Sequence, residues 1–459
     1  MSSFSPAPPS LPDRAVGFWG GLSANVLNMV GIGPFITIPL ALTAMGGPQA
    51  LTGWVLGAVI SLCDGFVWAE LGAAMPHSGG SYAYLLRLFD ERKMGRMFAF
   101  LFLWQTLLNG PLNVAAGAVG FTNYLNYIFP NLGHWTLVAL GAVLCLANTA
   151  LLYRNIRSVQ LISLVTTVIV IAAFGWIIFS GALFFDAHKA FDFPPHAFSL
   201  NTGFLAGLGS TTLIAVYDYG GYNNICQIGG EVKNPQRVIP AAIIGSIVLI
   251  ALLYCGLNLS IIGAMPWREV MNSKAVVADF MGHIYGRAGG IIVAVLIMIA
   301  GWGSIYVVLL GYSRVPFAAA NEGQFFKVFG RLHPKGQFPT VSLVFMGVLS
   351  ALCCLVKLDD LISVLIVIQT LFQYSMQCIG VIIRRQYLKN LGMPYRMPLF
   401  PLPALLSLAG WIYIVTTSKL IYILLGVGLF FVGCLIYLVT ARRTRSWPFA
   451  PSPSEQVSP

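Results

Sequence analysis

The chain alternates long apolar stretches with short polar connections. Twelve stretches have the length of about 20 residues that a helix needs to cross a hydrocarbon core of about 30 Å. They lie at 16–45, 49–74, 94–128, 134–153, 157–185, 202–230, 238–263, 288–320, 338–356, 360–383, 399–417 and 419–440. The pattern predicts an all-α polytopic membrane protein with twelve transmembrane helices, numbered here as predicted helices 1 to 12.

Predicted helices 1 and 6 are interrupted near mid-depth. The first carries Gly31, Gly33 and Pro34, and the second carries the pair Gly220 and Gly221. Proline removes a backbone donor and glycine tolerates non-helical dihedral angles, so both helices are expected to unwind there. The opposing interpretation is that small residues in membrane helices serve only close packing. Two breaks at corresponding places, each beside asparagine and aromatic residues, favour unwinding.

The spacing of five helices between the two breaks predicts an inverted repeat. The expected divisions are a cytoplasmic N-terminal tail at 1–15, a first repeat at 16–185, a second repeat at 202–383, two further helices at 399–440 and a disordered cytoplasmic tail at 441–459. Half-helix N-termini in such a fold present free N–H groups and a positive dipole end, which suit an anionic group such as a carboxylate.

Charge changes this picture only through its distribution. The chain is 57% apolar and 9% charged, with a formal net charge of +11. All but six of its 26 Lys and Arg residues fall in every second connecting segment; the six are Lys189, Arg268, Lys274, Arg287, Lys357 and Lys419. This positive-inside pattern predicts an even number of helices and both termini in the cytoplasm. The basic excess therefore reflects topology in a plasma membrane or a bacterial inner membrane, and nucleic acid is not expected as a partner.

Three acidic residues lie at membrane depth in the predicted helices: Asp64 and Glu70 in predicted helix 2, and Asp218 at the break of predicted helix 6. Ionisable side chains at membrane depth are costly and are functional candidates by default. A buried carboxylate finds a cation or takes up a proton, so these three are candidates for amine recognition or proton coupling. Structural alternatives stay open: Glu70 could pair with the basic loop that follows it, and the others could bond to backbone or tyrosine.

Amide side chains form two stripes at helical spacing. Asn109 and Asn113 share one face of predicted helix 3, and Gln369, Gln373 and Gln377 share one face of predicted helix 10. Ser304 lies near mid-depth in predicted helix 8. Such groups line a polar path or hold helices together, and the sequence leaves both options open.

Four motifs follow one another along the chain. They are Gly31-Ile32-Gly33-Pro34-Phe35, Ala69-Glu70-Leu71 with the loop 76–82, the segment 231–240 that reads EVKNPQRVIP, and Ser313-Arg314 with 319–323. Together they resemble the amino acid–polyamine–organocation transporter superfamily. The resemblance spans nearly the whole chain. It implies a leucine-transporter-like fold, with five plus five helices in inverted repeat and a central site between helices 1, 3, 6, 8 and 10.

The resemblance also implies roles for individual residues. Tyr217 would close over the substrate, and the backbone of Gly31 and Gly33 would bind a carboxylate. Gly220 and Asn223 stand where L-type amino acid transporters contact substrate, and Asn28 stands where arginine/agmatine exchangers have an asparagine. The full set of candidate substrate-binding residues is Asn28, Gly31, Ile32, Gly33, Asn113, Tyr217, Asp218, Gly220, Asn223 and Ser304.

Several positions depart from the usual family pattern. Ile32 replaces a serine whose hydroxyl helps to hold the carboxylate, and Pro34 removes one backbone N–H. Pro34, Asp64 and the pair Tyr153-Arg154 resemble the polyamine-uptake branch instead. Thr167 stands where many relatives have a lysine that substitutes for a sodium ion, which leaves the coupling ion open.

The expected function is secondary active transport of amino acids by alternating access, through exchange or proton coupling, with cationic amino acids as candidates. A polyamine or organic amine transporter and a non-transporting amine sensor on the same fold stay as alternatives. An enzyme is not expected, because no embedded catalytic dyad or zinc-ligand spacing is present. No cofactor or metal is expected. The expected partners are a small amino acid or amine and the lipid bilayer. The L-type transporters that bind a heavy chain use a cysteine in the loop between helices 3 and 4, and the loop Phe129–His134 has none, so the resemblance implies no disulfide-linked heavy chain.

Overall fold

The computed structural model describes residues 16–76, 79–154, 159–321, 323, 325–333, 339–444 and 447–449, with residues 154, 159–164 and 444 as backbone only. Some of the sequence-based predictions concern residues outside these ranges. The predicted N-terminal tail, most of the predicted C-terminal tail and two residues of the loop 76–82 lie outside the described residues. The side chain of Arg154, from the polyamine-branch pair, lies outside them too.

Helices make up most of the described chain, and the only β pairing within it is two isolated bridges. The helices are α1 (Phe18–Met29), α2 (Ile38–Met45), α3 (Leu51–Ala74), α4 (Gly80–Leu88), α5 (Met94–Ile128), α6 (His134–Arg154), α7 (Val159–Leu183), α8 (Ala187–Ala190), α9 (Thr202–Tyr219), α10 (Asn224–Gln227), α11 (Pro235–Ala264), α12 (Trp267–Asn272), α13 (Val276–Asn321), α14 (Thr340–Cys353), α15 (Leu358–Gln369), α16 (Ser375–Ile383), α17 (Arg385–Asn390), α18 (Leu402–Thr417) and α19 (Leu420–Thr444).

Seven helical segments of the described chain are long and apolar enough to cross a membrane: Pro48–Ala74, His134–Tyr153, Val165–Leu183, Pro235–Ala264, Val276–Asn321, Leu358–Ile383 and Leu420–Arg443. The apolar helices α14 and α18 are shorter. The break in predicted helix 1 leaves two pieces, of 12 and 8 residues. The helix α5 has 35 residues, but its apolar sequence is interrupted by the polar residues Gln105, Thr106 and Asn109, which are buried. The all-α membrane character is confirmed, and the number of twelve spans stays a prediction.

Four short helices, α4, α8, α12 and α17, occupy segments that hydropathy predicted as connections. The first part of α13 is a fifth such element, because Gly286 interrupts that helix with φ of 74° and ψ of 179°. None of these elements has the length of about 20 residues that would cross the bilayer, so a hydropathy pattern does not reveal them.

The long helices pack around a centre formed by α5 and α13, which run along each other. The helix α3 packs on α11 and α9, and α7 packs on both α11 and α13. The interrupted helices, α1–α2 and α9–α10, pass through this bundle and meet inside it. This arrangement places both breaks in the protein interior, where polar backbone has partners other than lipid.

The first half of one broken helix is tied to the second half of the other. Near the start of the described chain, the backbone N–H of Val16 donates to Glu231 O at 3.0 Å, and that of Lys233 donates to Val16 O at 2.8 Å. Further along, Asn25 Oδ1 accepts from the backbone N–H of Ile225 at 2.9 Å. The Asn224 side chain donates to a carbonyl of α1 at 3.1 Å. The segment from Val16 to Asn25 and the segment from Asn224 to Lys233 are therefore joined at both ends.

At the end of α3, Glu70 forms a buried ion pair with Arg385 of α17. Its other oxygen accepts from the backbone N–H of Met397 at 2.7 Å, and the Arg385 guanidinium lies 3.8 Å from the centre of the Phe400 ring. The pairing with the following basic loop, considered from sequence, is wrong, because the partner lies 315 residues later in the chain. Burial, with the charge of Glu70 as a second cause, raises the pKa of the Tyr395 phenol to about 12, so that neighbour stays neutral.

We expect Glu70→Gln to destabilise the protein strongly, because Glu70 is fully buried and Arg385 would lose its charge partner. Removing one member of a buried pair costs about 3 kcal/mol or more. The matched control is Asp192→Asn, which breaks an exposed pair with Arg268 and should cost less than about 1 kcal/mol. Thermal unfolding in detergent measures both variants. Equal shifts for the two variants would contradict a stabilising role for the buried pair.

Candidate functional site

A cavity of about 370 Å³ lies at the meeting point of the two breaks, between α1, α5, α9, α13 and α15. A volume of this size suits a small organic molecule. All ten candidate substrate-binding residues line it: Asn28, Gly31, Ile32, Gly33, Asn113, Tyr217, Asp218, Gly220, Asn223 and Ser304. Residues far apart in the sequence are thus brought to one site.

The break in predicted helix 1 leaves backbone donors without partners. The helix α1 ends at Met29, a single 3-10 turn spans Gly33–Phe35, and α2 begins at Ile38. The N–H groups of Gly31 and Ile32 donate to no other group among the described residues. Free N–H groups at an interrupted helix are a ready site for an anionic group such as a carboxylate.

The break in predicted helix 6 depends on Gly221. The helix α9 ends at Tyr219, and Gly221 adopts φ of 115°, which L side chains rarely adopt. A Cβ atom on Gly221 would lie 2.8 Å from the carbonyl carbon of Asn28 and 2.9 Å from the backbone nitrogen of Met29. Only glycine therefore allows the two broken segments to touch.

One hydroxyl joins the ends of both half-helices. The Tyr254 hydroxyl of α11 lies 2.9 Å from Met29 O and 3.3 Å from Asp218 O. Both carbonyls are at or near the end of a helix, where they lack intrahelical partners. Tyr254 thus donates its one proton to either of two carbonyls, with Met29 O the nearer, and lies between the two segments.

The Asp218 carboxylate is buried and only half satisfied. Its Oδ2 accepts a hydrogen bond from the Thr37 hydroxyl at 2.5 Å, while its Oδ1 has no hydrogen-bond partner among the described residues. The residue is 2% exposed. Gly33 makes room for it, because a Cβ there would collide with Oδ1. An unpaired buried carboxylate oxygen is costly, so this atom is suited to a cation or a proton.

The rest of the wall carries further polar groups. Asn109 Oδ1 is buried and accepts no hydrogen bond from any described residue. Gly31 approaches Ser304 so closely that a Cβ would lie 2.9 Å from its hydroxyl oxygen. Gln373 accepts from Gln105 at 2.8 Å and donates to Ser81 at 2.9 Å. The amide stripes predicted from sequence thus do both things: they line the cavity and join helices.

The two remaining acidic candidates do not line the cavity. Glu70 belongs to the buried ion pair described above. Asp64 is fully buried in α3 and accepts hydrogen bonds from the side chains of Tyr222, Ser407 and Trp411. The three acids therefore occupy three different environments, and only Asp218 faces the cavity.

Sequence reasoning missed two residues of this site, Thr37 and Tyr254. Thr37 had a local signal, since it lies four residues after Gly33 and just beyond the break. Tyr254 had none, because a tyrosine in an unbroken apolar helix is ordinary. Among the described residues, no cluster of His, Cys, Asp and Glu could hold a metal ion.

Comparison with known proteins gives extensive matches. A family model described as amino acid permease matches residues 17–451. The serine/threonine exchanger SteT of Bacillus subtilis is 26% identical over 417 residues, 88% of this chain and 91% of the relative. Cationic amino acid transporter 4 of Mus musculus is 29% identical over 381 residues, 79% of this chain and 58% of the relative. The branched-chain amino acid permease BcaP of Bacillus subtilis is 28% identical over 447 residues, 89% of this chain and 92% of the relative.

We expect Gly221→Ala to destabilise the protein by about 2 kcal/mol or more, because a positive φ and a backbone collision oppose any side chain there. Gly175→Ala is the control, since a Cβ at that position in α7 meets no atom within 4 Å. Thermal unfolding of both purified variants is the measurement. A Gly221→Ala protein as stable as the Gly175→Ala protein would show that the breaks need not touch.

Proposed function

The chain belongs to the amino acid permease family of the amino acid–polyamine–organocation superfamily, and we propose that it is a secondary active transporter of amino acids. The proposed transporter has twelve transmembrane helices, with two inverted repeats at 16–185 and 202–383, and works by alternating access. The two interrupted helices and the cavity between them support this proposal, because such breaks form substrate sites in transporters of this kind.

The proposal rests on two kinds of polar group that line one cavity and have no hydrogen-bond partner among the described residues. Free N–H groups at Gly31 and Ile32 suit a carboxylate, and Oδ1 of Asp218 suits a positively charged group. An amino acid carries both charges on one molecule. A polyamine has no carboxylate and would leave the free N–H groups unused, so an amino acid fits better.

We propose that Asp218 binds the positive side chain of a cationic amino acid. The carboxylate is the only acid that lines the cavity among the described residues. One of the relatives is named as a cationic amino acid transporter, which supports this substrate class, whereas others are named for serine, threonine and branched-chain substrates. Because the relatives differ in their substrates, the choice depends on Asp218.

The proposed orientation has both termini in the cytoplasm of a plasma membrane or bacterial inner membrane, as the distribution of Lys and Arg indicates. The cavity is then lined on its cytoplasmic side by residues of α1 and α10, such as Ala24 and Gln227. On the outer side, the segment 35–45 is held against α5 and α9: Tyr124 donates to Phe35 O at 2.6 Å, and Thr211 donates to Ala41 O at 3.2 Å. These contacts support a state that faces inward.

Counterflow into proteoliposomes tests the proposed function. The purified protein is given labelled neutral amino acids, cationic amino acids and diamines, each against the same unlabelled solute inside. We expect uptake of arginine and lysine, with less uptake of leucine and none of putrescine. Uptake of neutral amino acids alone would refute the cationic assignment, and the absence of any counterflow would refute transport of this panel.

Asp218→Asn tests the role of the carboxylate. A hydrogen bond to a charged group contributes about 1.5–3 kcal/mol, so KM for arginine should rise by about tenfold to a hundredfold. Uptake of any neutral substrate should change little. The control is Asp279→Asn, which removes an acid that does not line the cavity and should change neither KM. Equal loss for cationic and neutral substrates would assign Asp218 to folding or proton handling instead.

A further inference from the structure

We propose that Asp64 is the proton-coupling site of the transport cycle, and that Tyr222 links its protonation to the position of the broken segment of α9–α10. The inference rests on the proposed transport function and adds the coupling ion to it. It assigns substrate recognition to Asp218 and proton binding to Asp64, which are separate side chains on separate helices.

Four neutral donors surround the Asp64 carboxylate. Its Oδ2 accepts from the Tyr222 hydroxyl at 2.7 Å. Its Oδ1 accepts from the Ser407 hydroxyl at 3.2 Å, from Trp411 Nε1 at 3.3 Å and, more weakly, from the Cys378 thiol at 3.7 Å. These donors belong to three segments of the chain: the break after α9, the helix α18 and the helix α16.

No cation compensates the charge among the described residues. Four titratable groups interact electrostatically with Asp64, and none of them is a cation. Tyr222 belongs to the segment between α9 and α10, and Cys63 belongs to α3 itself. Cys378 lies in α16, and Tyr374 directly precedes that helix. The helix α18 contributes only Ser407 and Trp411, which do not titrate in the physiological range. An ionised Asp64 therefore depends on hydrogen bonds alone, and losing the shortest of them favours the protonated form.

The shortest bond comes from the non-helical segment between α9 and α10. Tyr222 follows Gly220 and Gly221, which separate α9 from α10. Gly221 in turn touches the backbone of Asn28, which lines the cavity. Any displacement of this segment during alternating access moves the Tyr222 hydroxyl relative to α3. A contiguous set of contacts thus runs from the cavity to Asp64.

The direction of coupling follows from these contacts. In the present state, which the proposed orientation makes inward-facing, Tyr222 stabilises the ionised carboxylate, so this is the state in which Asp64 gives up its proton toward the cytoplasmic side. When the broken segment moves in the opposite state, Asp64 loses this donor and takes a proton from water on the outer side. One proton therefore enters with each cycle, and when an amino acid moves inward in the same cycle the transport is symport with protons.

The experiment compares two assays on the same proteoliposomes: accumulation driven by an acidic exterior, and counterflow at equal pH on both sides. For Asp64→Asn, we expect accumulation to fall by more than tenfold relative to counterflow. An unchanged ratio of the two would overturn the proposal. Absence of counterflow by the wild type would overturn the proposed transport function, and the coupling role with it, which is a different result from an unchanged ratio.

A milder variant guards against misfolding of Asp64→Asn. Tyr222→Phe removes the hydroxyl and keeps the ring, so Asp64 should bind its proton more easily. The pH at half-maximal gradient-driven uptake should then rise by about one unit. Ser407→Ala is the control, because it removes a longer bond from a helix outside the broken segment. A shift for Ser407→Ala as large as that for Tyr222→Phe would overturn the role given to Tyr222.

Fluorescence reports on Asp64 without any transport. The indole of Trp411 donates to Asp64, so its emission, taken as the difference between the wild type and Trp411→Phe, should change with pH. The change should be absent in Asp64→Asn. A flat Trp411 signal between about pH 4.5 and 8.5 in the wild type would overturn the proposal, because a coupling site has to titrate in a range that cells experience.

Discussion

The contact between the two chain breaks is the constraint on which the site depends. Hydrocarbon offers no hydrogen bond to backbone groups, so a helix can unwind at membrane depth only where protein surrounds it. Here each break lies against the other. Gly221 allows the approach, and the Tyr254 hydroxyl lies between carbonyls of both segments. The polar groups that stay unpaired, at Gly31, Ile32 and Asp218, therefore face a cavity rather than lipid.

Three buried acids show how neighbours decide what a carboxylate does. Glu70 lies against a guanidinium and a backbone donor, which suits a permanent charge that holds α3 to α17. Asp64 is held only by neutral donors, so its charge depends on whether they stay in place. Asp218 has one donor and one open oxygen, which leaves room for a ligand. Burial is common to all three, and the partners differ.

Much of the architecture could be predicted from the sequence, because apolar length and Gly–Pro interruptions are local signals. The predicted helix at 94–128 agrees with α5 at both ends, and both interruptions fall where Gly31–Pro34 and Gly220–Gly221 indicated. Partners were not predictable in the same way. Arg385, Ser407 and Trp411 lie more than 300 residues from the acids that they contact, and nothing local identifies them. The number of spans, the repeat and the roles of the cavity residues stay predictions.

The pairing of α1 with α10 has a mechanical consequence. Two segments joined near Val16 and again near Asn25 are expected to move together during alternating access. Their pivot is the pair of breaks beside the cavity. A rotation of the joined segments about the breaks would move residue 16 farther than Asn28 and Gly221, because residue 16 lies farther from the breaks. A large displacement near residue 16 would thus accompany only a small change in the backbone that lines the cavity.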